Sequence, residues 1–488
     1  MSGIGLINVL LPVRMNLDGL STEVIGIVLS LYYVGLLIGA LYSTSLIKRA
    51  GHIRMFAGCV SLGAASILLC SLHSDAALWG AMRVVMGFCI ACAFTAMESW
   101  LSDSSSKETR GQVLAIYNAV VLAGLFGGQF LINVASAKDN MLFVIAGILM
   151  CIAVIPVVMS RHAGPILEEF SSMSLRLLYK RSPLGVVSCL ISGMLYSAIF
   201  NLLPVFARGV DITGFQLSLY MGAAIFGAFI LQFPVGYLSD RFDRRTVLLV
   251  MLIISASAGI GVTILASLGI IWAVFLATAI TCGIIACTYP LSISEALDRL
   301  RQSEMVSAMS SMILAFAVGG ILGPYSASLM MDKFGGSALF YFLAFIQLSL
   351  ACFVIYRMTV RSSLPIDEQE QFVMQGSVIT SAVELDPRTE YHEPQHLPRA
   401  VVKTSLMVAE ADPELAIDLC VALAKIKLGR GLAVAKALVI LPNINAVNLY
   451  QTLSNALPEH SVKLKAALVS VKPELADELA KVTPTNLS

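Results

Sequence analysis

The sequence predicts an all-α membrane protein: a twelve-helix bundle made of two parallel six-helix repeats, followed by a small helical cytoplasmic tail. Three observations carry this. The 488-residue chain is 57% hydrophobic and 13% charged, with a mean hydropathy of +0.84, whereas soluble domains run near 25% charged. Twelve apolar runs, most of them long enough to span a bilayer, follow one another up to residue 357. The runs of the second half also repeat landmarks of the first at a nearly constant distance.

A spanning helix needs about 20 apolar residues to cross a core about 30 Å thick. The runs fall at 2–13, 23–47, 53–73, 76–100, 111–135, 141–160, 184–207, 213–238, 246–267, 270–294, 304–331 and 336–357. Backbone groups exposed to lipid must bond within their own segment, so each run is read as a helix rather than a strand. Gly35, Gly39, Pro204, Pro290 and Pro324 lie inside runs, as Gly and Pro often do in membrane helices. The first run is short, and its "LLPV" matches the outer part of the seventh helix. The expectation is therefore a truncated first helix, with the native chain beginning upstream. The first run has no basic n-region and no A-x-A site before the next begins, so it is not read as a cleavable signal.

The repeat is legible in single residues. Pro204 follows Pro12 by 192 residues, Gly227 follows Gly35 by 192, and Gly320 follows Gly127 by 193. A constant offset across most of six helices marks an internal repeat. Charge orients the bundle. With the amino terminus inside, the inside connections carry sixteen Lys and Arg, and the outside ones only Arg14, Lys138, Arg208 and Lys333. By the positive-inside rule both ends of the membrane portion are cytoplasmic. The expected division is residues 1–182 for the first half and the basic central loop, 183–361 for the second half, 362–399 for a Pro-containing linker, and 400–488 for the tail.

Within residues 1–361 the chain resembles the major facilitator superfamily. "GYLSDRFDRR" (236–245) is similar to that family's loop signature, with Asp243 in place of the second Gly. The first-half copy, "TSLIKRAGHIR" (44–54), keeps Gly51 but has Lys48 where the Asp belongs. "RVVMGFCIA" (83–91) resembles the fourth-helix R-x-x-x-G signature, and "AGLFGGQ" (123–129) a Gly-rich antiporter motif without its Gly-Pro pair. "MESWLSD" (97–103) resembles a bacterial, drug-efflux-like branch. The resemblance implies a secondary transporter of the bacterial inner membrane, with halves rocking around a cavity lined by the first, fourth, seventh and tenth helices. It implies efflux by proton antiport, with a nutrient or sugar symporter as the near alternative.

Arg83 stands out because it is charged and sits about seven residues into the fourth run. It either faces a cavity or snorkels to the surface, and the cavity reading is favoured. Glu98 and Glu295 end the fourth and tenth runs and are coupling candidates, or interfacial helix-end charges. Asn8, Asn118, Gln129, Asn201, Gln232 and Gln347 contact substrate or act as interhelical glue. In the charged loop, Gly236 allows close approach. Asp240 accepts from the start of the fifth helix near Arg110, and Arg241, Arg244 and Arg245 hold the loop at the anionic leaflet and pair with acidic neighbours. The cluster is read as a conformational latch, or more plainly as a topology anchor. Cys89 and Cys92 read as small buried residues rather than a metal or redox pair.

No P-loop appears, so direct ATP coupling is not expected, and neither catalytic motifs nor cofactors are read from the sequence. A net charge of +1 gives no case for nucleic acid. The expected partners are a small-molecule substrate, protons and the lipid bilayer. The tail, with Pro after Asp412 and Lys472 opening helices, reads as three to five short helices that regulate, dock a cytoplasmic partner or do nothing. A membrane sensor acting through this tail is the far alternative. The orientation is testable directly: cysteines introduced at Ser171 and Ser377 are expected to react only from the cytoplasmic side. Labelling of either on intact cells by an impermeant reagent would reverse it.

Overall fold

The computed structural model describes residues 1–105, 110–159, 174–298, 300, 302–360, 369, 372–373, 399–426, 428–441, 443–469, 471–472 and 475. Ser171, Ser377 and nearly all of the expected linker lie outside these residues. The chain forms two compact units, Met1–Glu390 and Tyr391–Ser488.

The first unit begins with α1 (Ser2–Leu17), α2 (Thr22–Ala50), α3 (His52–Leu72), α4 (Ala76–Ser104), α5 (Arg110–Phe130) and α6 (Met141–Val158). A short helix, α7 (Leu175–Arg181), leads into the second set: α8 (Pro183–Gly209), α9 (Phe215–Ile230), α10 (Gln232–Arg241), α11 (Arg244–Ser267), α12 (Ile271–Leu297), α13 (Gln302–Phe334) and α14 (Ala338–Val360). Each lies within about a turn of its expected run. α9 and α10 form one broken span, Phe215–Arg241. The break precedes Pro234, which has no N–H to bond the Ile230 carbonyl. Among the described residues eleven spans are long and apolar enough to cross a membrane, and α1 is a shorter apolar helix.

The two sets pack alike. In the first, α2 and α3 pack on α4, α3 also packs on α6, and α1 packs on α5 and α6. In the second, α9 and α11 pack on α12, α11 on α14, and α8 on α13 and α14. The equivalent glycines show why. A Cβ at Gly35 would lie 1.9 Å from the Val84 carbonyl oxygen of α4, and one at Gly227 would lie 2.2 Å from the Ala279 carbonyl of α12. Two backbones touch at each crossing, which only Gly permits. One contact breaks the symmetry: α8 also packs extensively on α12, whereas α1 makes no comparable contact with α4.

The halves meet along α2 against α13 and α5 against α9. At the end of the bundle away from Lys48, Arg245 and Arg357, this seam is tight. Gly26 meets Ser328 and the Pro324 carbonyl, and Phe130 lies 6.0 Å from Phe215 between ring centroids. Asn133 Nδ2 donates to Ser218 Oγ at 2.6 Å, and Ser218 in turn donates to the Gln129 carbonyl at 3.0 Å. At the same end Arg14 pairs with Asp18 at 2.9 Å and donates to Ser74 and the Lys138 carbonyl, tying α1 to two loops. Side chains such as Leu41, Ile116, Ile152, Leu276 and Phe345 point outward from the bundle, as a lipid-facing surface requires.

The second unit contains α15 (Arg399–Ala411), α16 (Pro413–Ile426), α17 (Leu428–Leu438), α18 (Ala446–Ala456) and α19 (Ser461–Val469) around a core that includes Ala416, Cys420, Leu449, Leu453 and Leu468. Asp412 Oδ1 accepts from the Glu414 and Leu415 N–H groups at 3.1 and 3.2 Å, capping α16 just before Pro413. Burial pushes the Cys420 thiol up to about 12, so it packs as a small apolar group. Pro473, after Lys472, lies outside the described residues.

The glycine crossings are expected to be unequal in substitution. Gly35→Ala forces α2 off α4 and should destabilise the purified protein by about 1–3 kcal/mol. Gly127→Ala, where nothing lies within 4 Å of an added Cβ, should leave the melting temperature unchanged or slightly raised. Equal melting temperatures for the two variants would show that the α2–α4 contact is not tight.

Candidate functional site

A cavity lies where the halves meet. Its walls come from α1 (Ile4, Asn8), α2 (Tyr32, Tyr33, Leu36), α4 (Arg83, Ile90, Phe94), α5 (Leu122, Leu125, Gln129), α8 (Tyr196, Phe200, Asn201), α9 (Met221, Ile225, Ala228) and α13 (Phe316), together with Met1. Four pairs of these positions are 192 residues apart: Ile4 with Tyr196, Asn8 with Phe200, Tyr33 with Ile225, and Leu36 with Ala228. The cavity therefore sits between equivalent faces of the two repeats. The expected lining by the tenth helix needs correction. Among the described residues on this cavity's wall none comes from α12, on which α8 packs, while α4 supplies three.

Arg83 is 1% exposed and lines this cavity, so its side chain does not snorkel. Its Nη2 donates to Asn201 Oδ1 at 3.4 Å, joining α4 of one half to α8 of the other. Its guanidinium carbon stands 4.6 Å from the centre of the Tyr32 ring, a cation–π distance. Nε and Nη1 make no hydrogen bond among the described residues. Asn201 is fixed by donating to the Ser197 carbonyl at 2.8 Å and to Tyr33 Oη at 3.4 Å. Gln129 Nε2 donates to the Gly5 and Leu125 carbonyls at 3.1 and 3.3 Å, leaving Oε1 as an acceptor with no donor. Asn8 is half-buried on the wall.

Other sequence-level candidates lie elsewhere. Glu98 is buried farther along α4 and accepts from Tyr117 Oη of α5 at 3.1 Å. Asn118 and Gln232 are buried away from the cavity lining, and Gln347 donates to Ser255 Oγ at 2.6 Å between α14 and α11. Glu295 accepts from Arg245 Nε at 3.0 Å in a buried ion pair. Beside it Arg244 pairs with Asp298 at 2.5 Å, each side chain 2% exposed, and donates to Ser239 Oγ at 3.2 Å. Cys89 and Cys92 are buried on α4.

Asp240 Oδ1 accepts from the Phe372 N–H at 2.7 Å, a group beyond α14; the residues just before α5, and the side chains of its first two, lie outside the described residues. The Phe372 ring lies against Gly236, where a Cβ would come within 2.7 Å of it. α5 starts at Arg110, whose side chain lies outside the described residues. Arg241 stacks over Tyr237 at 4.2 Å. Asp243, the departure from the loop signature, caps α11: its Oδ2 accepts from the Thr246 N–H at 3.1 Å and from Thr246 Oγ1 at 2.9 Å.

Sequence reading missed Tyr32, Tyr33, Tyr196, Phe200 and Phe316. An aromatic residue in an apolar run carries no mark of whether it faces cavity, neighbour or lipid. The 192-residue offset held a partial signal, since positions paired by it line the cavity together.

Comparisons with known proteins agree with this architecture. The Major Facilitator Superfamily model matches the chain twice, over residues 1–229 and 186–408. The MFS-type transporter YcaD of Shigella flexneri serotype 5b is 28% identical over 354 residues, covering 70% of this chain and 88% of that protein. YcaD of Escherichia coli O139:H28 matches to the same extent. Among solved structures, a mutant of the nucleoside transporter NupG aligns with a TM-score of 0.62 at 13% identity, over 73% of this chain and 96% of that one. A bacterial homolog of the human lysosomal transporter Spinster, inward-facing and unoccupied, aligns with a TM-score of 0.56 at 15% identity, over 79% and 93%. With both six-helix sets matched by the family model, the chain is a multi-pass membrane protein that belongs to the Major Facilitator Superfamily.

Proposed function

We propose that this protein is a secondary active transporter of the bacterial inner membrane that exports a small solute by alternating access, coupled to proton entry. The observation that carries the reading is the cavity between matched repeats, containing a buried cation and bounded by a tight seam at one end. Two halves related by a repeat have two comparable ways of packing, and opening the sealed end while closing the other exchanges them. The basic residues at the opposite end support a cytoplasmic location for both ends of the bundle.

Efflux by proton antiport draws its support from the partial antiporter-type motif at 123–129. Glu98, buried on the same helix as Arg83, is the coupling carboxylate in this reading. The loop cluster is the latch in this reading; the pairs Arg244–Asp298 and Arg245–Glu295 and the Asp240–Phe372 contact hold the loop in place within the second half.

Arg83 does electrostatic work in this scheme, because a guanidinium stays charged at physiological pH and does not carry the proton. Arg83→Gln is expected to abolish flux in reconstituted vesicles. Arg83→Lys, which keeps the charge but loses the planar fork, should retain at most a small part. Membrane expression should stay near normal for both. A well-expressed Arg83→Gln protein transporting at the wild-type rate would remove Arg83 from the mechanism.

A further inference from the structure

We infer that the cavity is built for a monoanionic solute with a planar aromatic body and a hydrogen-bond donor. The inference rests on the transporter reading for its biological sense, but on the cavity walls alone for its chemistry. Of the described lining side chains, Arg83 carries the one formal charge, and no Asp or Glu is among them; Met1, also on the lining, brings an α-amino group and no counter-anion. Glu98 is 15 residues along the same helix, roughly 22 Å away at helical rise, and is bonded to Tyr117. Arg83 therefore stands in the apolar interior with no carboxylate opposite it on the cavity wall.

Its recorded contacts leave the guanidinium under-used. A guanidinium offers five N–H donors along two edges suited to a carboxylate. Here Nη2 makes one long bond to Asn201, while Nε and Nη1 make none to the described residues, so each edge keeps a buried donor without a partner. A buried charge without a counter-charge is costly, and a bidentate oxyanion removes that cost. The apolar walls give the shape of the rest. Tyr196 and Phe200 lie 4.5 Å apart between centroids, and Tyr196 and Phe316 lie 6.2 Å apart, all three on the cavity wall. Rings so placed receive a planar body by stacking or edge contact.

An aromatic box without a cation would suit a quaternary ammonium or other cationic solute. Arg83 reverses that preference, since a second positive charge beside it is repelled in a low-dielectric site. Gln129 supplies the third element. Both bonds of its amide nitrogen go to backbone carbonyls, which fixes the group and leaves Oε1, on a residue of the cavity wall, as a buried acceptor without a donor among the described residues. A hydroxyl or N–H on the solute satisfies it.

The test uses the purified full chain and four matched probes: 4-hydroxybenzoate, benzoate, 4-hydroxybenzamide and benzylammonium. Ligand-dependent melting gives the apparent affinity of each. The expected order is 4-hydroxybenzoate first, benzoate weaker, and 4-hydroxybenzamide at least about 10-fold weaker than its acid, the loss of charge-assisted hydrogen bonds. Benzylammonium should produce no shift. Arg83→Gln should erase the difference between acid and amide, and Gln129→Leu the difference between 4-hydroxybenzoate and benzoate. The inference is overturned if benzylammonium or the amide binds as well as the acid, or if none of the four shifts wild-type protein. Counterflow of the bound acid in vesicles separates the two readings: binding without flux overturns transport and leaves the anion site, while flux of the cation alone does the reverse.

Discussion

Helix backbones in direct contact set the geometry on which the bundle depends. In an apolar solvent no hydrophobic force draws helices together, so association relies on close packing and buried polar bonds. Gly35 against the Val84 carbonyl and Gly227 against that of Ala279 bring α2 onto α4 and α9 onto α12 at the closest range a polypeptide allows. Once these crossings are fixed, α3 and α11 pack along the same helices, and the remaining helices complete two similar halves. The cavity is what remains between those halves where equivalent faces do not touch.

Equivalence ends at the cavity wall, and the departure from it is useful. α8 covers α12, but α1 leaves α4 uncovered, so the first half adds a cation to its rings and amides, while the second presents rings and the Asn201 amide. Asn201 is the joint between them: it accepts from Arg83 and donates to Tyr33, placing α2, α4 and α8 in one polar chain. Such a chain in a low-dielectric interior is stronger than its separate bonds, and its long members mark where it gives.

Much of the fold was legible because lipid imposes a simple rule, about twenty apolar residues per crossing, and because a repeat offset exposes the second half. Arg83 was legible for the same reason: a charge within an apolar run has few explanations. Glu295 was not separable from a coupling residue in sequence, since its partner Arg245 lies 50 positions earlier and only folding brings them to 3.0 Å. Asp240 posed the same difficulty, its donor Phe372 lying 132 positions later. The aromatic wall was silent because hydrophobicity identifies a helix in lipid without saying which way a ring points. In the tail, the reverse held: the cap at Asp412 was plain, but the core around Cys420 and Leu453 depended on which faces met.

The fixed charge of Arg83 also has an electrical meaning. A carrier whose cavity is reached alternately from either side places that charge at different depths in the membrane field as its access changes. The field is worth about 2.3 kcal/mol for each full charge crossing 100 mV. In a carrier of the proposed kind, an empty cavity containing one guanidinium would feel a share of this, so voltage would bias which side it faces. Neutralising the guanidinium with a bound anion would cancel the bias, and the loaded protein would then turn over almost independently of voltage. If the protein alternates as proposed, the membrane potential would act chiefly on the substrate-free half of the cycle.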